Sequence, residues 1–404
     1  MSNSFSISTL GCRANQADSE RLCQLLRAAG WQELPAGERV DCAVVNTCTI
    51  TAEADRKSLK LLRRRQKEAQ VVILTGCGVT ERGGLEVPAG VRVMQPSESA
   101  SILDILRSEG FQIDTLKSLD VHQHRTRALL RVQDGCDHFC SYCIVPYVRG
   151  RIKSFDPDNL TCQVQRLELD GYKEIVLTGI HVAKWGHELT PRRDLADLLR
   201  CFLENTKTVR FRLSSIEPIA FPKAIIELMR EYPERVCPYL HLPIQHASDR
   251  ILQRMRRGYN LAEYDAVVRE FLTVPGACIT TDIMVGFPGE TEDDMAILTD
   301  YLERTPYYHL HVFPYSRRPG TAADTYKDQI PENVKKERVE RIIALGEHLK
   351  ERVLEQFRGM RRPVLIERFL PETGMVTGTA DNYITVNLPG DASLLGKIVM
   401  TELS

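Results

Sequence analysis

Apolar and polar positions divide the chain into three stretches with different periodicity. In the first, short apolar runs alternate with amphipathic ones. Ser4 to Leu10 predicts a strand, and Asp18 to Ala29 has helical spacing. Asp41 to Asn46 predicts a buried strand, Ala52 to Ala69 a strongly basic helix, and Val71 to Thr75 a third strand. Strands alternating with helices predict a parallel sheet. Residues 118–127 are polar and irregular, as a linker would be. A longer strand–helix series follows, with strands expected at Ala128 to Val132, Glu174 to Leu177, Val209 to Leu213, Tyr239 to Leu242, Ile279 to Val285 and Leu310 to Phe313. Six such units predict an open, partial (β/α)6 barrel with its site at the C-terminal mouth. Pro331 to Gln356 is a charged amphipathic helix, and from Met360 to Ser404 short alternating runs and turns predict a small all-β module. The expected class is α/β. Its parts are a parallel-sheet α/β domain over 1–117, a central barrel over 125–345 and a small all-β module over 358–404.

Composition narrows the function. The formal charge of −1 over 404 residues gives no global basic field, so any nucleic-acid contact must come from local patches. No apolar run is long enough to span a bilayer, and Met1 to Gln16 lacks the pattern of a secretory signal. The expected location is cytoplasmic, away from membranes. Twelve cysteines are many for a chain in a reducing compartment, which favours metal or redox chemistry over a disulfide framework.

Cys136, Cys140 and Cys143 share one short loop with C-x3-C-x2-C spacing. Three close thiolates can hold three irons of a [4Fe–4S] cubane and leave the fourth open. S-adenosylmethionine (SAM) can chelate that iron and be cut to a radical, chemistry the cofactor carries. A zinc site with His138 as fourth ligand is the competing reading, but zinc sites usually pair two separated chelate turns. A disulfide is the other alternative. Cys12, Cys48 and Cys77 each follow a predicted strand. Parallel strands present their C-terminal ends on one edge, so these three can converge on a second cluster. Three small buried core residues are the bland alternative. The other six, Cys23, Cys42, Cys162, Cys201, Cys237 and Cys278, show no cluster spacing and are expected in cores.

Several strings occur in order: Thr9-Leu10-Gly11-Cys12, Asn46-Thr47-Cys48-Thr49, Gly76-Cys77, Ile144-Val145-Pro146-Tyr147-Val148-Arg149-Gly150-Arg151, Leu213-Ser214-Ser215-Ile216-Glu217-Pro218, Gly286-Phe287-Pro288-Gly289-Glu290-Thr291 and His311-Val312-Phe313-Pro314-Tyr315-Ser316. Together they resemble the methylthiotransferase family of radical-SAM enzymes over essentially the whole chain. The resemblance implies an N-terminal domain with an auxiliary cluster, a radical-SAM barrel and a small C-terminal all-β TRAM-type barrel that helps bind RNA. It implies two [4Fe–4S] clusters and SAM. A deoxyadenosyl radical would open an unactivated carbon, and the second cluster would hold a sulfur methylated by a second SAM. Asn46 to Thr51, Ala54 to Ser58, Asp134-Gly135-Cys136 and Leu177 to His181 look like the branch acting on N6-threonylcarbamoyladenosine beside the tRNA anticodon. Gln245-His246-Ala247-Ser248 departs from it and is similar to the branch that modifies a ribosomal-protein aspartate. A further branch acts on isopentenyladenosine in tRNA.

The resemblance also suggests contacts. Tyr142, Thr178, Gly179, Ser214, Glu217, Gly286, Phe287 and Pro288 are candidates for SAM. His181, Gln245, Arg149, Arg361 and Arg362 are candidates for substrate, although Arg149 and Arg151 could instead tie down the cluster loop. Arg56, Lys57, Lys60, Arg63, Arg64, Arg65 and Lys67 form a basic helix suited to phosphates or simply to solvent, and Arg358 joins Arg361 and Arg362 at the start of the β module. Tyr383 could stack on a base or fill the small core. Asp282 and Glu290 to Asp294 suggest either Mg or, more simply, a helix start. Partners implied are a tRNA anticodon stem-loop, a reductant such as flavodoxin or ferredoxin, and an unidentified sulfur donor. A protein of a different class, an iron–sulfur redox sensor that binds RNA, fits the same cysteines.

Overall fold

The structure, a computed structural model, describes residues 3–79, 85–113 and 126–403; most of the expected linker lies outside them. The chain forms two compact units. One comprises Met1–Gln123, Gly135–Arg151 and Ser316–Asp324, and the other His124–Asp134, Ile152–Tyr315 and Thr325–Ser404.

The first unit carries β1 (Ser4–Thr9), α1 (Arg13–Ala28), β2 (Gln32–Glu33), β3 (Val40–Thr47), α2 (Ala52–Arg65), β4 (Ala69–Gly76), β5 (Val91–Val93), α3 (Ile102–Ser108) and α4 (Val145–Arg149). Its sheet has the order β2-β1-β3-β4-β5, parallel throughout. Alternation along the strands serves both faces. Phe5, Val44 and Ile73 pack with Leu22, Leu26 and Trp31, while Val45, Val72 and Leu74 pack with Leu62 of α2. The basic helix α2 stops at Arg65, short of the expected Ala69, because Ala69 enters β4. Thr51 caps it by accepting from the Ala54 amide.

The second unit starts with β6 (Ala128–Arg131) and an antiparallel pair of β7 (Gln133–Asp134) and β8 (Lys153–Ser154). Then come α5 (Pro157–Leu169), β9 (Glu174–Thr178), α6 (Leu195–Asn205), β10 (Arg210–Leu213), α7 (Ala224–Glu231), β11 (Tyr239–His241), α8 (Asp249–Met255), α9 (Leu261–Phe271), β12 (Cys278–Val285), α10 (Glu292–Arg304) and β13 (Tyr307–Pro314). Parallel triples β6-β9-β10 and β11-β12-β13 are joined by single bridges, Phe211 to Val236 and Ser215 to His241. Six parallel strands in chain order make the expected open barrel. Helix α11 (Glu332–Phe357) packs on β13 and leads to β14 (Arg361–Leu370), β15 (Met375–Ala380), β16 (Thr385–Pro389) and β17 (Ile398–Glu402). These four form an antiparallel sheet of order β16-β15-β14-β17.

A buried ionic network fixes this sheet to the N-terminal ends of the barrel strands. Glu174, fully buried, accepts from Arg212 Nε at 2.7 Å and Arg210 Nε at 2.7 Å. The same guanidinium groups reach the carbonyls of Pro363, Ala380 and Asp381 at 2.9 Å each. Tyr383 stacks on Tyr239 with ring centroids 4.2 Å apart, and Arg212 lies over both rings. Tyr383 therefore fills the junction, the second of its two expected roles.

Candidate metal centre and cofactor site

Parallel register brings the first-unit cysteines to one edge. Thr9 pairs with Asn46 and Thr47 with Gly76, so the chain leaves β1, β3 and β4 at the same level, just before Cys12, Cys48 and Cys77. Two glycines permit the close approach. Gly11 has φ +111°, and a Cβ there would lie 2.9 Å from Cys48 Cβ. Gly76 has φ +94°, and its Cβ would meet the Thr47 carbonyl at 2.3 Å. Asn15 on α1 ties the loops together. Its Nδ2 donates to the carbonyls of Leu10 (3.0 Å) and Thr47 (2.9 Å) and to Asn46 Oδ1 (3.1 Å).

Cys12 is exposed, whereas Cys48 and Cys77 are buried. Burial pushes the Cys48 thiol up to about 11, and charge on Cys77 and Cys12 pushes the same way. Neighbouring thiols form a donor set that a cationic cluster stabilises as thiolates. Among the described residues no group of three or more His, Cys, Asp or Glu gathers to hold a metal ion. Each cubane thiolate ends on a different iron, so three of them stand farther apart than three ligands of one ion. The donor chemistry fits a thiolate-held cluster.

The Cys136–Cys143 loop belongs to the same unit. Its backbone turns on itself, with the Cys136 amide on the Gly150 carbonyl (2.9 Å), the Cys140 amide on that of His138 (3.0 Å) and the Cys143 amide on that of Cys140 (3.0 Å). The His138 amide points at Cys136 Sγ, 3.4 Å away. The Ala323 amide donates to the Ser141 carbonyl at 2.7 Å and pins the loop from outside. Tyr142, the SAM candidate between two of the cysteines, is half-buried in this unit.

Arg149 connects the two cysteine sets. It ends α4, its side chain is 1 % exposed, and Ile144 and Val148 of the same segment pack on Cys77. Its Nε donates to Cys77 Sγ at 3.2 Å, Nη1 to Asp18 Oδ2 at 3.0 Å and Nη2 to Asn15 Oδ1 at 2.9 Å. Of the two expected roles, the structure shows the one that ties down the loop; this guanidinium is not open to a substrate phosphate. Burial raises the Cys77 thiol, and Arg149 opposes that rise. Sequence reasoning missed Asn15, Asp18 and Arg318. Arg318 bonds Asp55 and Thr49 beside Cys48, and no spacing signal marks such partners.

In the second unit the remaining cofactor candidates lie just past the strand ends. Thr178 ends β9, and a Cβ on Gly179 would lie 2.8 Å from the Gln133 carbonyl. Gln133 Oε1 accepts the amides of Ile180 (3.0 Å) and His181 (2.7 Å), another role that went unread. Ser214 Oγ and Gln245 Oε1, at the ends of β10 and β11, are buried with no protein partner among the described residues. Gln245 also holds φ +66°, unusual for a side-chain-bearing residue. Polar atoms so placed fit a bound polar cofactor or substrate. Gly286 donates its amide to Glu290 Oε1 at 2.8 Å. Phe287 is fully buried edge-on to Tyr315 and Tyr326, so it offers backbone only, and the Pro288 carbonyl accepts from Arg254 at 3.2 Å.

Other candidates are committed elsewhere. One Glu217 oxygen is bonded by buried Arg257, and His181, three residues past the end of β9, is 1 % exposed. Arg362 is a correction: its guanidinium closes on Asp381 with bonds of 2.8 and 2.9 Å, so it clamps the module instead of facing RNA. Arg361 is exposed. Arg65 leaves the basic face of α2 because it is buried against Ser8 and Glu68. Cys162 is exposed and Cys201 half-buried, unlike the core positions expected of them. Glu292, Asp293 and Asp294 form the first turn of α10, with Thr291 and Asp294 in a capping box, which accounts for the acidic run without Mg.

The departing string has a packing explanation. His246 is fully buried, its Nδ1 accepts the Ser248 amide at 3.0 Å, and its Nε2 faces Glu290 Oε2 at 3.4 Å. Glu290 in turn accepts from Arg338 at 2.7 Å. His246 therefore supports the Gly286–Glu290 turn from inside.

The model of the radical SAM superfamily matches residues 130–302, and that of the uncharacterized protein family UPF0004 matches 4–88. The threonylcarbamoyladenosine tRNA methylthiotransferase MtaB of Bacillus subtilis is 35 % identical, aligning 98 % of this chain with 92 % of its own. This chain belongs to the methylthiotransferase family of radical-SAM enzymes. A second relative in that family, the tRNA-2-methylthio-N(6)-dimethylallyladenosine synthase of Pelotomaculum thermopropionicum, is 34 % identical over 98 % of this chain and 94 % of its own. The fold is shared with the radical S-adenosylmethionine methyltransferase TsrM of Kitasatospora setae, at TM-score 0.55 and 14 % identity, covering 80 % of this chain and 77 % of that one. Among the described residues of the methylthiotransferase, no helix is long and apolar enough to cross a membrane.

Proposed function

We propose that this methylthiotransferase uses SAM to place a methylthio group on C2 of N6-threonylcarbamoyladenosine, next to the anticodon of tRNA. One observation carries the chemistry: the two cysteine triads share one compact unit and are joined through Arg149. Cys136, Cys140 and Cys143 would hold one [4Fe–4S] cluster, and Cys12, Cys48 and Cys77 the other. Such clusters with bound SAM supply radical chemistry, which reaches a ring carbon that has no acidic proton. The protein's residues position and shield. The turns after β1, β3 and β4 present the second set, the Ala323 amide holds the first loop, and the strand ends at Thr178, Ser214 and Gln245 offer polar groups to SAM and substrate. An exposed Arg361 and the exposed cations of α2, Arg56, Lys57, Lys60, Arg63 and Arg64, are suited to phosphates of a tRNA stem-loop. The domain roles follow: 1–117 for the auxiliary cluster, 125–345 for SAM and 358–404 for RNA. A flavodoxin or ferredoxin is the proposed reductant, and the cytoplasm the proposed location.

The branch rests on the relatives. The first two are close in identity but differ in substrate, and further MtaB relatives from Aquifex aeolicus and Thermotoga maritima are each 32 % identical. Buried His246 faces Glu290, so this side chain offers no direct contact to a substrate of any branch. The test is mass spectrometry of nucleosides from total tRNA with and without the gene. Loss of the 2-methylthio nucleoside, with accumulation of N6-threonylcarbamoyladenosine, is the expected result. Loss of the isopentenyl counterpart would move the substrate, and no change in either nucleoside would overturn a tRNA role.

A further inference from the structure

We infer that Arg149 sets the reduction potential of the cluster held at Cys12, Cys48 and Cys77, and that Asp18 limits how far it does so. The inference rests on the second-cluster reading above. Three observations support it. The guanidinium is buried, so its charge is poorly screened. It donates through Nε to Cys77 Sγ, so the charge falls on a cluster ligand itself. Its geometry is over-determined, because Asn15 and Asp18 hold the two Nη atoms while Asn15 is anchored to Leu10, Asn46 and Thr47.

An N–H donor and a positive charge at a ligating sulfur favour the form of the cluster that carries one more electron, and so raise its potential. Asp18, 3.0 Å from Nη1, returns one negative charge and offsets part of that effect. Arg149 also sits six residues after Cys143, at the end of the helix that follows the first-cluster loop. The residue that tunes the second cluster is thus supplied by the segment that carries the first. Arg149 is a positioning residue in this account; it touches a ligand, not the substrate.

The test is a one-electron redox titration, with dithionite as reductant, followed by electron paramagnetic resonance on the reconstituted full-length chain. Chains with Cys136, Cys140 and Cys143 all changed to Ala, or Cys12, Cys48 and Cys77 all changed to Ala, assign each signal to its cluster. The expected result is a downward shift of the second-cluster midpoint in Arg149→Gln, a smaller downward shift in Arg149→Lys, and an upward shift in Asp18→Asn. The first-cluster midpoint stays in place. A merely structural role would move Arg149→Gln and Asp18→Asn in the same direction. Unchanged midpoints at full iron content, shifts of one sign, or both clusters moving together would overturn the inference. If Arg149→Gln fails to retain iron, the opposite signs for Arg149→Lys and Asp18→Asn decide it. A different failure would indict the second-cluster reading: the chain lacking Cys12, Cys48 and Cys77 would keep both signals.

Discussion

Arginine is buried in both units, and its partners differ. At the base of the barrel Arg210 and Arg212 share one carboxylate, Glu174, and direct their remaining charge at carbonyls of the β module. Those partners do no chemistry, and the arrangement joins two sheets into one unit. In the first unit Arg149 meets one carboxylate, one amide and the Cys77 thiol, a proposed cluster ligand. The same side chain thus serves cohesion in one place and the electronics of a site in the other. Burial alone does not distinguish them; the acceptor does.

The sharpest way to break this contrast is to remove cysteines. Changing Cys136, Cys140 or Cys143 to Ala should abolish SAM cleavage, read as 5′-deoxyadenosine released. Changing Cys12, Cys48 or Cys77 to Ala should leave cleavage and abolish the methylthio product. A Cys48→Ala chain that still forms product would end the division of labour. Next in size is Glu174→Gln, which leaves two buried guanidinium groups without a counter-charge. Breaking such a pair costs about 3–5 kcal/mol, to be read in chemical denaturation, with iron content per folded chain unchanged.

Gly76→Ala should do the reverse. Forcing a Cβ into that left-handed turn costs about 1–3 kcal/mol, and the expected readout is loss of iron from the second set with the first set intact. The smallest effect is in the acid arm of stability. Burial alone would raise the Glu174 carboxyl, but Arg212 and Arg210 outweigh it and hold it well below the usual carboxylate range. Its contribution is present above the unfolded-state pKa of about 4.3 and is lost as pH falls toward the folded value. The melting temperature of the wild-type chain should therefore fall more between pH 6 and pH 3 than that of Glu174→Gln. Equal slopes would show that the network is not the acid-sensitive element.

Much of this was legible along the chain. Period-two and helical patterns located the N-terminal parallel strands and all six barrel strands, because each buries a face that must be apolar. The short edge strands β2 and β5 escaped, since Gln32–Glu33 and Val91–Val93 bury little and carry little pattern. Strand ends named the cysteine positions through topology alone. Partners were harder. Arg149 and Arg362 look alike in sequence, as cations near a site, yet one is held by Cys77 and Asp18 and the other by Asp381. The Gln245–Ser248 string reads as a departure from the branch, and its His246 is a packing residue.

The sequence by itself determined the class of chemistry and the architecture. Thiolate spacing on one loop and cysteines after parallel strands are local facts, and local facts survive without coordinates. The tertiary structure alone decided which charge each buried cation answers. Electrostatic strength depends on distance and burial between residues more than a hundred positions apart, as with Arg149 and Asp18, and no pattern along the chain encodes that separation.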